Sequence, residues 1–350
     1  MASIPGLPDL RGLARSQAAT DLAVTIGGRG VQLLLGLAGN IASARALGPT
    51  EFGRFGLVMA VVMICGTLAD MGLTQAAIKY VSRERESGVE YEAARVYLVL
   101  RPLLGLIVTI MGLLLAAPLA GLVLGHADLT PYLQLAFLTL LSLSISSYPG
   151  TVLLGLGLFG RLGVAGVLNA VITVGGILGL LAVGRLDLGS LVAWNVLVPL
   201  ASSLPAWFLL PRDWLPWRLS GGSMRSIREL LQRGGLSWRM LDFGKWMGLA
   251  TLGAIVATQA DVLLLGRLST PESVGIYSVA LALAMRLDTL NQSLILVMLP
   301  RANRLKGQAD IRGYSRRVLG GSLALAATLG TVVFVAQPLI ELLYGESYRA

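Results

Sequence analysis

Five residues in the first long apolar run have the types and spacing to do chemistry. Arg29, Gln32, Gly36, Asn40 and Ser43 recur at intervals of three and four. At about 100° per residue they fall in one helical stripe roughly 21 Å long, on a helix otherwise built of Leu, Val, Ile and Ala. A guanidinium at the head of such a stripe suits a cavity that receives an anion, because Arg grips phosphate oxygens bidentately. The same spacing also suits a helix–helix seam, with Gly36 and Gly39 allowing close approach and Asn40 bonding across it.

A charge in the bilayer costs at least about 2.5–3.5 kcal/mol, so each ionised residue there calls for a partner or for water. Asp261 shares a face with Thr251 and Thr258, with Gln259 beside it. Three roles fit it: binding a coupling cation, exchanging a proton, or pairing with an arginine. Arg286 and Asp288 are two residues apart and so do not face each other on a helix. Asp70 lies near the end of its run, where solvated or capping roles are common.

Other chemistries are absent from the pattern. No GxSxG elbow, Walker loop or HExxH pair occurs, so no enzyme class is indicated. One histidine and one cysteine argue against a protein-built zinc site, and no cofactor is implied. Cys65 sits in an apolar run as a small packed residue. With no ATPase segment, any transport draws on an ion gradient, the membrane potential or the substrate gradient.

The elements that must position these residues are membrane helices. Only 13% of residues are charged, against about 25% in soluble domains. A span needs roughly 20 apolar residues. Nine stretches qualify: 22–47, 53–74, 97–120, 132–154, 162–183, 189–210, 244–266, 274–299 and 318–343. The expected fold is thus all-α and polytopic, with no cleaved signal peptide.

The net charge of +9 reads as loop asymmetry rather than nucleic-acid binding. With a cytoplasmic N-terminus, Lys79, Arg83, Arg85, Arg95, the arginines of 212–239, Lys245 and the basic residues of 301–317 all fall inside. The opposite loops keep only Arg45, Arg54, Arg185, Arg267 and Arg349. The segment 211–243 reads as an amphipathic connector, with Trp214, Trp217 and Trp238 at headgroup depth. It divides an N-terminal lobe, 1–210, from a partial C-terminal lobe, 244–350.

The two lobes share a pattern. Arg45-x-x-x-Pro49-x-x-x-Gly53-x-Phe55-Gly56 returns 222 positions later as Arg267-x-x-x-Pro271-x-x-x-Gly275-x-Tyr277-Ser278. Arg45 and Arg267 would close helix C-termini, where a cation is favourable by about 0.3–1 kcal/mol. Pro49 and Pro271 would start the return turns, so the motif reads mainly as architecture. Internal repeats are common in transporters, whose sites lie between them.

These residues resemble a known family. Ala44-Arg45-Ala46-Leu47-Gly48-Pro49-Thr50-Glu51-Phe52-Gly53-Arg54-Phe55 and Leu68-Ala69-Asp70-Met71-Gly72-Leu73 look like the start of bacterial and archaeal polysaccharide flippases. These are the Wzx-type members of the MATE-like (multidrug/oligosaccharidyl-lipid/polysaccharide) superfamily. Asp261 to Gly266, Val274 to Ala280 and Leu299-Pro300 resemble the second lobe, and Leu342 to Tyr348 the loop after the ninth span.

The resemblance implies a two-lobed bundle with pseudo-twofold symmetry around a central cavity. It implies that a polyprenyl-pyrophosphate-linked oligosaccharide is flipped across the cytoplasmic membrane by alternating access. It places pyrophosphate on Arg29, with Arg286 and Lys245 as weaker candidates, and Gln32 and Asn40 would line the same substrate cavity. A polysaccharide polymerase and glycosyltransferases are its candidate protein partners. Members carry three to five further helices, so a truncated frame or a fragment is expected here. The rival readings are a cation-coupled drug exporter using Asp261 and Asp70, and a non-transporting scaffold for glycosyltransferases.

Overall fold

The computed structural model describes residues 10–83, 89–219 and 235–285, and near the end of the chain 320, 330, 337, 338 and 340–349. Side chains are described from residue 27 onward, apart from those of Arg83 and Leu219.

One helical run, Leu10–Asp70, is broken at Gly48, whose φ of 72° lies in the left-handed region that glycine tolerates without a Cβ penalty. Pro49 then supplies the fixed φ of a first helical turn. The break matters for length. The 44 residues Gly27–Asp70 would reach about 66 Å as one straight helix, roughly twice the hydrocarbon thickness. Folded back at Gly48 they form two spans, α1 (10–47) and α2 (49–70).

After the Met71-Gly72 turn come α3 (Leu73–Arg83), α4 (Val89–Pro118), α5 (Thr130–Gly155), α6 (Phe159–Ala182), α7 (Leu188–Leu209), α8 (Leu236–Leu268) and α9 (Pro271–Met285). α4 runs into a π-turn at Leu119–Leu124, directly after Pro118 removes a backbone donor. Gly125, at φ 77°, closes that turn.

Six helices are long and apolar enough to cross a membrane among the described residues, and the kinked one counts twice. The first seven expected spans are therefore present. The eighth is described as α9, of residues 271–285, and most of the ninth (318–343) lies outside the described residues. The start of α8 differs from expectation. Leu236 to Phe243, assigned to the connector, form its first turns. Trp214 also differs: it is 6% exposed, stacks on Tyr91 at 4.6 Å between ring centroids, and its carbonyl accepts from the buried Tyr148 hydroxyl. Trp217 and Trp238 are exposed, as headgroup-depth residues would be.

Packing follows membrane rules. Leu34, Leu114, Leu122, Phe208 and Leu268 point outward, while Ala, Ser and Gly fill the seams. Lipid is as apolar as leucine, so close van der Waals approach, rather than apolar burial, holds the helices together.

The two motif copies touch. A Cβ on Gly53 would lie 1.7 Å from the Pro271 carbonyl oxygen, and one on Gly275 would lie 2.0 Å from that of Pro49. Each proline step thus rests on the other copy's glycine, the reciprocity a twofold relation produces. α2 then runs alongside α8, with Leu57 over Gly266, Gln259 Nε2 donating to Met63 Sδ at 3.4 Å, and Met71-Gly72 against Gly244 and Gly248.

The motif arginines reach across rather than capping their own helices. Arg45 Nε and Nη2 donate to the carbonyls of Leu343 and Leu342 at 2.7 and 2.5 Å. Arg267 lies over Gly125, its Nη1 3.0 Å from where a Cβ would stand. Gly125 and Gly345 both have positive φ and both precede a 3-10 turn, Ala127–Leu129 and Glu346–Tyr348.

Candidate functional site: a cationic, hydroxyl-walled cavity

A cavity of about 560 Å³ opens among α1, α5, α6 and α7, within the range of small-molecule sites. Arg29 and Gln32 form its α1 wall. Ser146 and Ser147 come from α5, Gly163, Gly166 and Asn169 from α6, and Pro199, Ser202 and Ser203 from α7. On α6 the cavity residues 163, 166 and 169 recur every third position, one stripe of that helix. Gln32 packs directly onto Gly166, where a Cβ would come within 2.5 Å of its Nε2.

The wall has a definite polarity. Each serine hydroxyl donates to its own helix: Ser146 to Leu143, Ser147 to Ser144, Ser202 to Pro199 and Ser203 to Leu200. Their remaining lone pairs therefore present acceptors to the cavity. Asn169 Oδ1 accepts from Thr173, which leaves its amide N–H groups as donors. Arg29 is exposed and makes no ion pair or hydrogen bond among the described residues. No Asp or Glu lines the cavity among the described residues. A polyhydroxylated molecule bearing an anion matches this set.

The stripe read from the sequence divides between its two interpretations. Arg29 and Gln32 face the cavity. Further along, Gly39 presses on Val174 and Ile177 of α6, and Asn40 Oδ1 accepts from the buried Tyr344 hydroxyl at 2.9 Å. Asn40 is thus a seam residue.

The remaining candidates lie apart. Lys245 pairs with Asp242 at 2.5 Å beside the Trp246 ring and does not reach the cavity. Asp261 Oδ2 accepts from Tyr277, the aromatic residue of the second motif copy, at 3.0 Å. Arg286 and Asp288 lie outside the described residues. Among the described residues the cavity is walled by helices that end before residue 210, and residues of α8 and α9 take no part in it.

Behind the α5 wall is a polar cluster that sequence reasoning missed. Arg101, 4% exposed, places Nε 3.1 Å from Asp70 Oδ1, and its Nη1 donates to Ala69 O and Ser144 Oγ at 3.0 and 2.8 Å. Thr74 donates to the same carboxylate at 2.5 Å. The buried Tyr97 hydroxyl touches Thr74, Thr151 and Ser147, donating to the last at 3.0 Å. The chain Asp70–Thr74–Tyr97–Ser147 therefore runs from an ion pair to the cavity wall. The sequence held a signal for it: Arg101 and the alternating Ser142, Ser144 and Ser146 lie inside spans where such residues need partners.

The fold and this site define a class: a multi-pass membrane protein with the architecture of MATE-type transporters. A solved structure described as the inward-facing conformation of a multidrug resistance MATE family transporter of the MOP superfamily is similar to this chain. Its TM-score is 0.64 at 16% identity, over 90% of this chain and 73% of the other. No curated protein sequence matches this one significantly. The model of the polysaccharide biosynthesis protein family matches residues 18–306, and the chain belongs to that family.

Proposed function

We propose that this protein carries a polyprenyl-pyrophosphate-linked oligosaccharide from the cytoplasmic to the outer leaflet of the cytoplasmic membrane. It acts as a non-catalytic flippase in cell-surface polysaccharide synthesis. One observation carries the reading. The Arg29 cavity combines a cation without a protein partner among the described residues, a hydroxyl-rich wall and no carboxylate. A guanidinium attracts pyrophosphate through charge-assisted, bidentate hydrogen bonds, and the serine lone pairs accept from sugar hydroxyls. An organic cation would meet only repulsion there, which disfavours the drug-exporter reading.

The arginine-rich ends of the helices face the cytoplasm, which puts the N-terminus inside. The cavity then lies in the cytoplasmic half, near the α5–α6 turn, where a substrate made inside the cell would load. The lobes are 1–210 and 244–350, joined by 211–243, and they rock about the reciprocal glycine–proline contact. Asp261 and Asp70 are the acids available for coupling to an ion gradient. A polymerase and glycosyltransferases are the partners that supply and consume the glycan.

The test is Arg29→Ala in cells that depend on this chain for export. Surface polymer should be lost while the protein still inserts at normal abundance, and Arg29→Lys should retain part of the activity. Undiminished export in Arg29→Ala would remove the cavity from the mechanism.

A further inference from the structure

The buried Tyr97 hydroxyl has one proton and two acceptors at the same distance. Ser147 Oγ, in the cavity wall, and Thr74 Oγ1, on the far side, both lie 3.0 Å from it. Thr74 gives its own proton to the Asp70 carboxylate, so it meets Tyr97 as an acceptor. Ser147 likewise gives its proton to the Ser144 carbonyl. The Tyr97 proton therefore turns either toward the cavity or toward Asp70. Asp70 ends α2, and the backbone after it is strained. Met71 has φ 44°, left-handed for a residue with a Cβ, and Gly72 follows at φ 70°. Such a turn persists only where its surroundings fix it. The Met71 N–H donates to the Thr67 carbonyl at 3.1 Å and that of Ala76 to the Gly72 carbonyl at 3.0 Å. The turn also rests on α8: a Cβ on Gly72 would fall 2.1 Å from the Gly244 carbonyl oxygen, and one on Gly248 would fall 2.8 Å from the Met71 carbonyl carbon. A row of hydroxyls thus joins the cavity to the contact between α2 and α8.

We propose that Tyr97 is a positioning residue that distinguishes the glycan-loaded carrier from the bare one, by passing the arrival of a sugar hydroxyl at Ser147 to the Asp70 turn. The inference rests on the substrate class proposed above. A sugar hydroxyl that donates to Ser147 competes with Tyr97 for the same oxygen. The Tyr97 proton then turns to Thr74. Thr74, accepting while it donates, holds the carboxylate more strongly, because hydrogen bonds in a chain polarise one another. Asp70 is already anchored on its other side by Arg101 Nε at 3.1 Å. The gain therefore tightens the link between Asp70 and the first turn of α3, with Met71 and Gly72 between them. A pyrophosphate on Arg29 does not enter this row. A carrier without its glycan leaves the turn, and its seat on α8, as they were.

The test uses the full chain in mixed micelles with two probes, farnesyl pyrophosphate and farnesyl pyrophosphoryl glucose. Affinity is measured for each, together with amide hydrogen exchange of residues 71–76 by mass spectrometry. In the wild type the sugar-bearing probe should slow that exchange by about three- to tenfold, the scale of one hydrogen bond. Farnesyl pyrophosphate should bind and leave it unchanged. Tyr97→Phe should bind the sugar-bearing probe within about threefold of wild type, again the scale of one hydrogen bond, and lose the exchange response. Thr74→Val should lose the response as well, and Thr74→Ser, which restores the hydroxyl, should regain it. A role in folding alone would alter exchange equally with and without probe. Should Tyr97→Phe fail to insert, the two Thr74 variants decide. A wild-type response that survives in Tyr97→Phe or Thr74→Val, or that farnesyl pyrophosphate evokes equally, overturns the link and leaves the substrate reading standing. Arg29-dependent binding of the sugar-bearing probe with no change in exchange does the same. Binding of both probes that is indifferent to Arg29→Ala overturns the substrate reading and the link with it.

Discussion

Arg101→Met offers the sharpest check on how the cavity wall is held. The guanidinium side chain is 5% exposed and has three partners: the Asp70 carboxylate, the Ala69 carbonyl and the Ser144 hydroxyl. Met preserves most of the volume and removes the charge, so packing is a small part of the change. Two hydrogen bonds from a charged donor are lost, each worth about 1.5–3 kcal/mol. Among the described residues Asp70 is left with the Thr74 hydroxyl. Breaking a buried pair costs about 3–5 kcal/mol. Because the Asp70 side chain is 24% exposed, water compensates in part, and we expect about 3 kcal/mol. Asp70→Asn should also destabilise, since it strands a buried guanidinium. The double variant should be less damaged than the sum of the singles by about 1–3 kcal/mol, as for groups in one network. Unfolding of the purified chain in mixed micelles by increasing SDS, read by tryptophan fluorescence, gives all four values. Additivity within about 0.5 kcal/mol would show that the two residues do not act as a pair and would refute the reasoning.

Other outcomes follow from the same geometry. Gly275→Ala drives a methyl into the Pro49 carbonyl and should cost at least the about 1–3 kcal/mol of overpacking. Gly253→Ala, with nothing near its Cβ position, should be neutral or slightly stabilising, so equal melting temperatures for the two would contradict the contact. Arg45→Gln should speed amide exchange in 340–349 by loosening the clamp on Leu342 and Leu343, with Arg45→Lys intermediate. Unchanged exchange would count against a clamp. At the α7 N-cap, the Ser190 side chain and backbone N–H hold the Asp187 carboxyl below its usual range. A lowered value means that the stabilisation is present above the ordinary pKa of about 3.9 and fades as the pH drops through the folded value. Asp187→Ala should therefore destabilise near pH 7 by about 0.5 kcal/mol, the low end for an exposed cap. The gap to wild type should close in acid, and a pH-independent gap would exclude this origin.

The class of protein was legible because it rests on properties each residue carries alone. Apolar runs of about 20 residues report spans whatever their neighbours are. Gly48-Pro49 marks a break because of its own backbone preferences, and the spacing of Arg29 and Gln32 put them on one face. The motif repeated 222 positions apart was visible as a pattern, but its role was not. That Gly53 receives Pro271 while Gly275 receives Pro49 depends on how two distant turns cross.

What tertiary structure decided is which face meets which neighbour. A helical stripe states that Arg29 and Asn40 point the same way; it does not state that a cavity lies beside one and that Tyr344 arrives beside the other. Arg101, alone near the end of an apolar run, reads as a side chain reaching for water until Asp70, 31 positions earlier, and Ser144, 43 positions later, close around it. Periodicity along a helix is set by local backbone geometry. A cavity is set by the distances between helices, and those depend on many small contacts that no single segment contains.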